Sequence, residues 1–167
     1  MESFGAPIVS LDDFKKLRPH LVGTIVATSG GFDPIHPGHI SCIMESRKYG
    51  DILVVAVNGD GFLRLKKGKP FQDIATRASI VSGIRGVDYV IPFDADKDDI
   101  SACVALDAIR PHIFTKGGDR DLASLPACEQ ELFGKHAIRL ISNVGAQKRW
   151  SSSTFLRDWS QFSRSNS

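Results

Sequence analysis

The segment Asp51–Val57 (DILVVAV) constrains this chain more than any other. Apart from Asp51, every residue in it is apolar. A strand with one wet face alternates apolar and polar side chains. A run that is apolar throughout belongs to a strand covered on both faces, as in a parallel sheet flanked by helices. The rest of the chain agrees. Thr24–Thr28 (TIVAT), Tyr89–Pro92, His112–Thr115 and Ile138–Ser142 read as four further short strands. Between them lie helical stretches: Pro37 or Gly38 to Tyr49, stopped by Gly50, then Ala75–Ile84, Ile100–Ile109, Leu125–Lys135 and a last helix Ser153–Phe162. Strands alternating with helices predict one doubly wound, Rossmann-like α/β domain, its five strands parallel and its crossovers right-handed. Residues 1–23 are expected to be a lead-in with one short helix, Leu11–Leu17, capped by Ser10. The domain proper runs over residues 24–162, and residues 163–167 form a polar tail expected to fray.

A length of 167 residues suffices for one real core. The net charge of +2 comes from acids and bases mixed along the chain, so bulk charge directs it toward neither nucleic acid nor membrane. No apolar run approaches the roughly 20 residues of a membrane helix. Residues 1–10 have neither the basic head nor the apolar stretch of a signal peptide, so a cytoplasmic location is expected. Cys42, Cys103 and Cys128 are odd in number, far apart and form no C-x-x-C pair. They are expected to be reduced, buried thiols, with no zinc site or other protein-held metal.

Doubly wound sheets bind ligands at the carboxyl ends of their strands, where the strand order reverses. That directs attention to the residues after Thr28, Val57, Thr115 and Ser142. The first is followed by Gly30-Gly31-Phe32-Asp33-Pro34-Ile35-His36-Pro37-Gly38-His39. Its glycines let backbone approach a ligand closely. His36 and His39, three apart at a helix start, share a face, and Gly38 between them leaves room for a phosphate. Metal pairs on helices usually come four apart with a carboxylate nearby, so H-x-x-H here fits phosphate better than metal. After the second strand come Asn58-Gly59-Asp60 and a basic loop, Arg64–Lys69, in which Lys66, Lys67 and Lys69 are all candidate phosphate ligands. Lys116-Gly117-Gly118-Asp119 follows the fourth strand. Ser151-Ser152-Ser153-Thr154 then opens the last helix with more hydroxyls than one cap requires, an anion cradle.

These strings resemble the H-x-G-H nucleotidyltransferases, a superfamily that includes glycerol-3-phosphate cytidylyltransferase, heptose 1-phosphate adenylyltransferase and the nicotinate-mononucleotide and phosphopantetheine adenylyltransferases. The resemblance runs from about Thr24 to Trp159. It implies that His36 and His39 bind the triphosphate and stabilise the transition state, with Lys66 or Lys67 meeting the phosphates beside them. It implies nucleotide contacts from Gly30, Gly31, Phe32, Asp33, Gly38, Lys69, Lys116, Gly117, Gly118, Asp119, Ser152, Ser153 and Thr154. Asp119 stands either as a ligand of ribose or base, or as a cap of its own turn. Arg77 occupies a place where relatives keep an arginine, either orienting the basic loop or meeting the acceptor phosphate.

The reaction so implied moves a nucleoside monophosphate from a nucleoside triphosphate to the phosphate of a small acceptor, such as a sugar or polyol phosphate, releasing pyrophosphate. Magnesium is expected on the triphosphate, held by phosphate oxygens and water, with Asp33 reaching it through water. Similarity of Lys116–Asp119 and Val57–Asp60 to the heptose enzymes favours ATP. A CTP-dependent enzyme acting on glycerol phosphate or a phospho-amino-alcohol is the alternative, and a non-catalytic nucleotide sensor a further one. Relatives are often homodimers. The G-x-G-x-x-G of dehydrogenases and the G-x-x-x-x-G-K-[ST] of P-loop kinases are both absent.

Overall fold

The computed structural model describes residues 1–94, 101–118, 121–147 and 149–165. Five strands form one sheet: β1 (Ile25–Gly30), β2 (Ile52–Asn58), β3 (Tyr89–Phe93), β4 (Ile113–Thr115) and β5 (Arg139–Ile141). Their order is β3-β2-β1-β4-β5, and every neighbouring pair is parallel. This is the doubly wound arrangement the alternation of elements predicts. The order reverses between β1 and β4. Gly30 pairs with Val57 and Thr28 with Thr115, so the carboxyl ends of the three central strands lie side by side.

The helices are α1 (Leu11–Leu17), α2 (Pro37–Ser46), α3 (Asp60–Lys67), α4 (Ile74–Ser82), α5 (Cys103–Ile109), α6 (Ala127–Lys135) and α7 (Ser152–Ser165). Side chains of β2 alternate between two cores. Val54 and Ala56 join Ile25, Ala27, Ile91 and Phe114 under α1, α5 and α6. Leu53, Val55 and Val57 join Val26, Val90 and Ile113 under α2 and α4, through Ile43, Ala78 and Val81. Leu53, Val54, Val55 and Val57 have no exposed surface. At about 1.5–3 kcal/mol for each buried aliphatic side chain, β2 anchors both layers.

The lead-in carries the expected helix, Leu11–Leu17 with Ser10 as its cap, and packs onto the sheet: Phe14 of α1 is fully buried, and the preceding chain pairs with β3 through the hydrogen bonds Val9 N–Val90 O and Val90 N–Pro7 O. Three expectations change. The segment Arg64–Lys67 is helical rather than a loop, because α3 starts at Asp60 and buries Leu63. The last helix continues through Ser165, into the stretch expected to fray. Cys103 and Cys128 are not free thiols. They form a disulfide between the first turns of α5 and α6, with Cα atoms 6.3 Å apart, leaving Cys42 as the free cysteine. No helix among the described residues is long and apolar enough to cross a membrane.

Candidate active site

The turn after β1 builds the centre of the site. Phe32 takes a positive φ of 51°, and the Asp33–Pro34 bond is cis. Phe32 is buried, its ring edge-on to His39 at 5.2 Å, so its side chain supports the histidine and only its main chain is left for a ligand. His36 is the N-cap of α2: its Nδ1 accepts from the His39 backbone N–H at 3.3 Å, and Pro37 opens the helix. With Nδ1 used as an acceptor, the neutral ring carries its proton on Nε2, which makes that nitrogen a donor. The two imidazoles stack with centroids 3.6 Å apart and planes 14° apart. Burial lowers the pKa of both, helped by the positive charge of Lys67. That of His39 falls to about 4, with His36 adding to the effect. At neutral pH the pair is therefore two stacked, uncharged imidazoles over a helix N-terminus. Gly38 leaves room for this packing: a Cβ there would lie 3.1 Å from the His36 ring and 3.5 Å from Trp150.

The β2 side of the site separates the candidate lysines. Lys67 turns inward and donates to the Asp33 carbonyl at 2.5 Å. Burial lowers its pKa, against the opposing pull of Asp33. Lys66 is exposed, its ammonium 5.4 Å from the Phe62 ring centre, and Lys69 is also exposed. Asp33 is not placed to meet a metal through water. Its carboxylate is buried and accepts from Phe71 N at 2.9 Å and Gln72 N at 2.8 Å, holding the loop between α3 and α4. Arg77 resolves in favour of orienting that loop. It has no exposed surface, and its guanidinium donates to Gln72 O, Gly31 O, Asn58 O and the Asp60 carboxylate at 2.6–2.9 Å. The acceptor-phosphate role is corrected on that ground, since Arg77 ties β1, β2, α3 and the loop together from behind.

On the other side, Lys116 reaches back to the Ser29 hydroxyl at 3.3 Å and lies 4.9 Å from the Phe114 ring centre. Gly117 packs near Cys42, and Gly118 takes φ +79° with its carbonyl accepting from Asn143 N at 2.7 Å. Asp119 lies outside the described residues. Ser152 spends its hydroxyl on the Pro34 carbonyl at 2.8 Å, tying α7 to the histidine turn. Phe155 adds an edge contact with His36 at 6.3 Å. Ser153 is exposed and Thr154 partly so at the start of that helix. Burial pushes the Cys42 thiol up, so no thiolate stands ready as a nucleophile.

Three participants escape sequence reasoning. Asp94, just past β3, accepts from Gly61 N and Phe62 N and so caps α3 from another element. Trp150 packs over Gly38, and Ser29 receives Lys116. None follows from local spacing, because each partner comes from a different strand or loop.

The family model described as cytidylyltransferase-like matches residues 27–144, the sheet and nearly all of the site. The chain belongs to that family of nucleotidyltransferases. Among curated relatives, the bifunctional protein HldE of Methylococcus capsulatus is 41% identical over 97 residues, 57% of this chain and 20% of that protein. The HldE of Haemophilus ducreyi is 35% identical over 122 residues, 72% of this chain and 25% of that protein. The chain thus spans a quarter or less of these relatives. A lipopolysaccharide core biosynthesis protein from Thermoplasma volcanium superposes with a TM-score of 0.61 at 27% identity, over 75% of this chain and all of that one. Pantoate-beta-alanine ligase from Francisella tularensis also gives 0.61, at 16% identity over 89% of this chain and 72% of that one, and so shares the fold. The cytidylyltransferase-like match begins within β1 and stops before α7, so the helix bearing Ser152–Thr154 lies outside it.

Proposed function

We propose that this chain transfers a nucleoside monophosphate from ATP to the phosphate of a small sugar or polyol phosphate. An acceptor phosphate oxygen attacks the α-phosphorus, the bond to the bridging oxygen breaks, and pyrophosphate leaves. The observation that carries this reading is the stacked, neutral His36–His39 pair at the N-terminus of α2, with Lys67 beside it. A neutral imidazole protonated on Nε2 donates an N–H bond to a phosphate oxygen. Each preorganised donor of this kind is worth about 10²–10³ in rate. Lys67, with a desolvated ammonium, neutralises the charge that builds on the oxygens around phosphorus. The first-turn N–H groups of α2 and α7 add partial positive charge on both sides.

Magnesium would arrive on the triphosphate. The chain's own residues do not fit a protein-held ion: the Asp33 carboxylate is committed to Phe71 and Gln72, and no cluster of three metal-ligating side chains occurs among the described residues.

The likeness of Lys116–Asp119 and Val57–Asp60 to the heptose 1-phosphate adenylyltransferases supports ATP and a sugar phosphate acceptor, and the matches to the bifunctional HldE proteins and to a lipopolysaccharide core biosynthesis protein agree with that reading. The cytidylyltransferase-like family description supports CTP as the second reading. The deciding experiment is a pyrophosphate-release screen of four nucleoside triphosphates against phosphorylated sugars, polyols and amino-alcohols. Release with ATP and a sugar or polyol phosphate is expected. Release only with CTP replaces the nucleotide and keeps the chemistry, while nucleotide binding without release from any pair leaves a sensor.

A further inference from the structure

Phe71 is 58% exposed, yet the backbone that carries it is among the most tightly held near the site. Its own N–H and that of Gln72 are both fastened to the buried Asp33 carboxylate, and the Gln72 carbonyl is fastened to Arg77 Nε at 2.9 Å. The preceding turn leaves α3 through Gly68 at φ +89°, a conformation that stops the helix and sends the chain back toward Asp33. A bare aromatic ring on a slack surface loop needs no explanation. A bare ring on backbone pinned at three points is presented, in the way rigid aromatic anchors of binding sites are.

Its position fixes what it would meet. The sheet reverses between β1 and β4, and on the β4 side Lys116 reaches across to the Ser29 hydroxyl. If the nucleotide occupies that side, in-line attack brings the acceptor from the other, over the carboxyl end of β2. That is where α3 and residues 68–73 stand, with Lys67 against Asp33. The surface there combines an aromatic face with ammonium groups. Such a pair suits a ligand with a phosphate and a preformed C–H face; both acceptor classes carry the phosphate, and only a pyranose ring presents the face.

We infer that Phe71 is the stacking platform of the acceptor subsite and selects cyclic sugar phosphates over open-chain ones. This rests on the transferase reading above. The test is steady-state pyrophosphate release by wild type, Phe71→Ala and Phe71→Trp, with a panel of cyclic sugar 1-phosphates and one of open-chain polyol phosphates. Phe71→Ala raises KM for the cyclic acceptor about three- to tenfold, the scale of one aromatic contact. KM for the nucleotide, kcat and melting temperature stay put, and Phe71→Trp restores the acceptor KM. An unchanged acceptor KM in Phe71→Ala overturns the inference, as does an equal rise in the nucleotide KM. Wild-type turnover with open-chain acceptors alone also overturns it, while the transferase reading stands. No release with any acceptor removes that reading and this inference together.

Discussion

The two sides of the site are built differently. On the β2 side, Arg77, Asp33, Asp60 and Lys67 form a buried set of charge-assisted hydrogen bonds that ties β1, β2 and the 68–73 loop into one block. By contrast, α7 buries no residue, and Phe155, Trp159 and Phe162 all stand exposed along it. It is joined to the histidine turn by the Ser152–Pro34 bond, the Phe155–His36 edge contact and Trp150 over Gly38. The comparison teaches where stiffness is placed. Lys67 sits on the rigid block, and the hydroxyls of Ser152, Ser153 and Thr154 sit on an element that few contacts hold. Opening energy scales with such contacts, so the α7 side should open first.

The largest expected effect comes from Arg77→Met. It leaves the carbonyls of Gly31, Asn58 and Gln72 and the Asp60 carboxylate without their donor, at a cost of about 3–5 kcal/mol. Denaturant titration should show it, and Arg77→Lys should recover little, because one ammonium cannot replace the fork. Unchanged stability with weakened acceptor binding would return Arg77 to the acceptor and dissolve the contrast between the two sides.

Next come His36→Ala and His39→Ala. Each should lower kcat by about 10²–10³-fold while the protein stays folded. His39 also predicts a pH effect of definite sign. Its pKa drops on folding from 6.5 to about 4, so the native state binds fewer protons than the unfolded state between those values. Stability is therefore present above about pH 6.5 and is lost as pH falls toward 4. Melting curves of His39→Gln across this window should fall less steeply with acid than those of wild type.

Lys67→Ala should cost about ten- to a hundredfold in kcat/KM, the range of one charged hydrogen bond, whereas Lys66→Ala should change little. Equal effects would mean that the inward turn of Lys67 is not what distinguishes them. The smallest effect belongs to Ser152→Ala. Loss of its bond to Pro34 should weaken nucleotide binding by about 0.5–1.5 kcal/mol at most, with stability nearly unchanged. A large stability loss would show that α7 is held more firmly than its contacts indicate.

The same contrast explains what was legible beforehand. The Asp51–Val57 run announced a doubly covered strand because burial on two faces is written directly in its composition. Gly30–His39 points to a phosphate site because glycine, helix start and histidine spacing act within ten residues. The second half of α3 is hidden in the sequence, since Arg64–Lys69 shows only charge there while Leu63 is the one fully buried residue of the helix. The destination of Arg77 lies on four other segments, and no local pattern encodes it. Cys103 and Cys128 are 25 residues apart and meet only because α5 and α6 pack together. Contacts made within one turn of chain were readable, and contacts made across the sheet were not.

The central claim is cleavage between the α- and β-phosphates by the histidine-bearing block. It is tested most directly by following a label in the α-phosphate of ATP, with a sugar phosphate as acceptor. The account predicts that the label moves onto the acceptor in equal amount to the pyrophosphate released, and that His36→Ala and His39→Ala suppress both together. Label left on a nucleoside diphosphate with release of orthophosphate, or transfer undiminished in both variants, would contradict it.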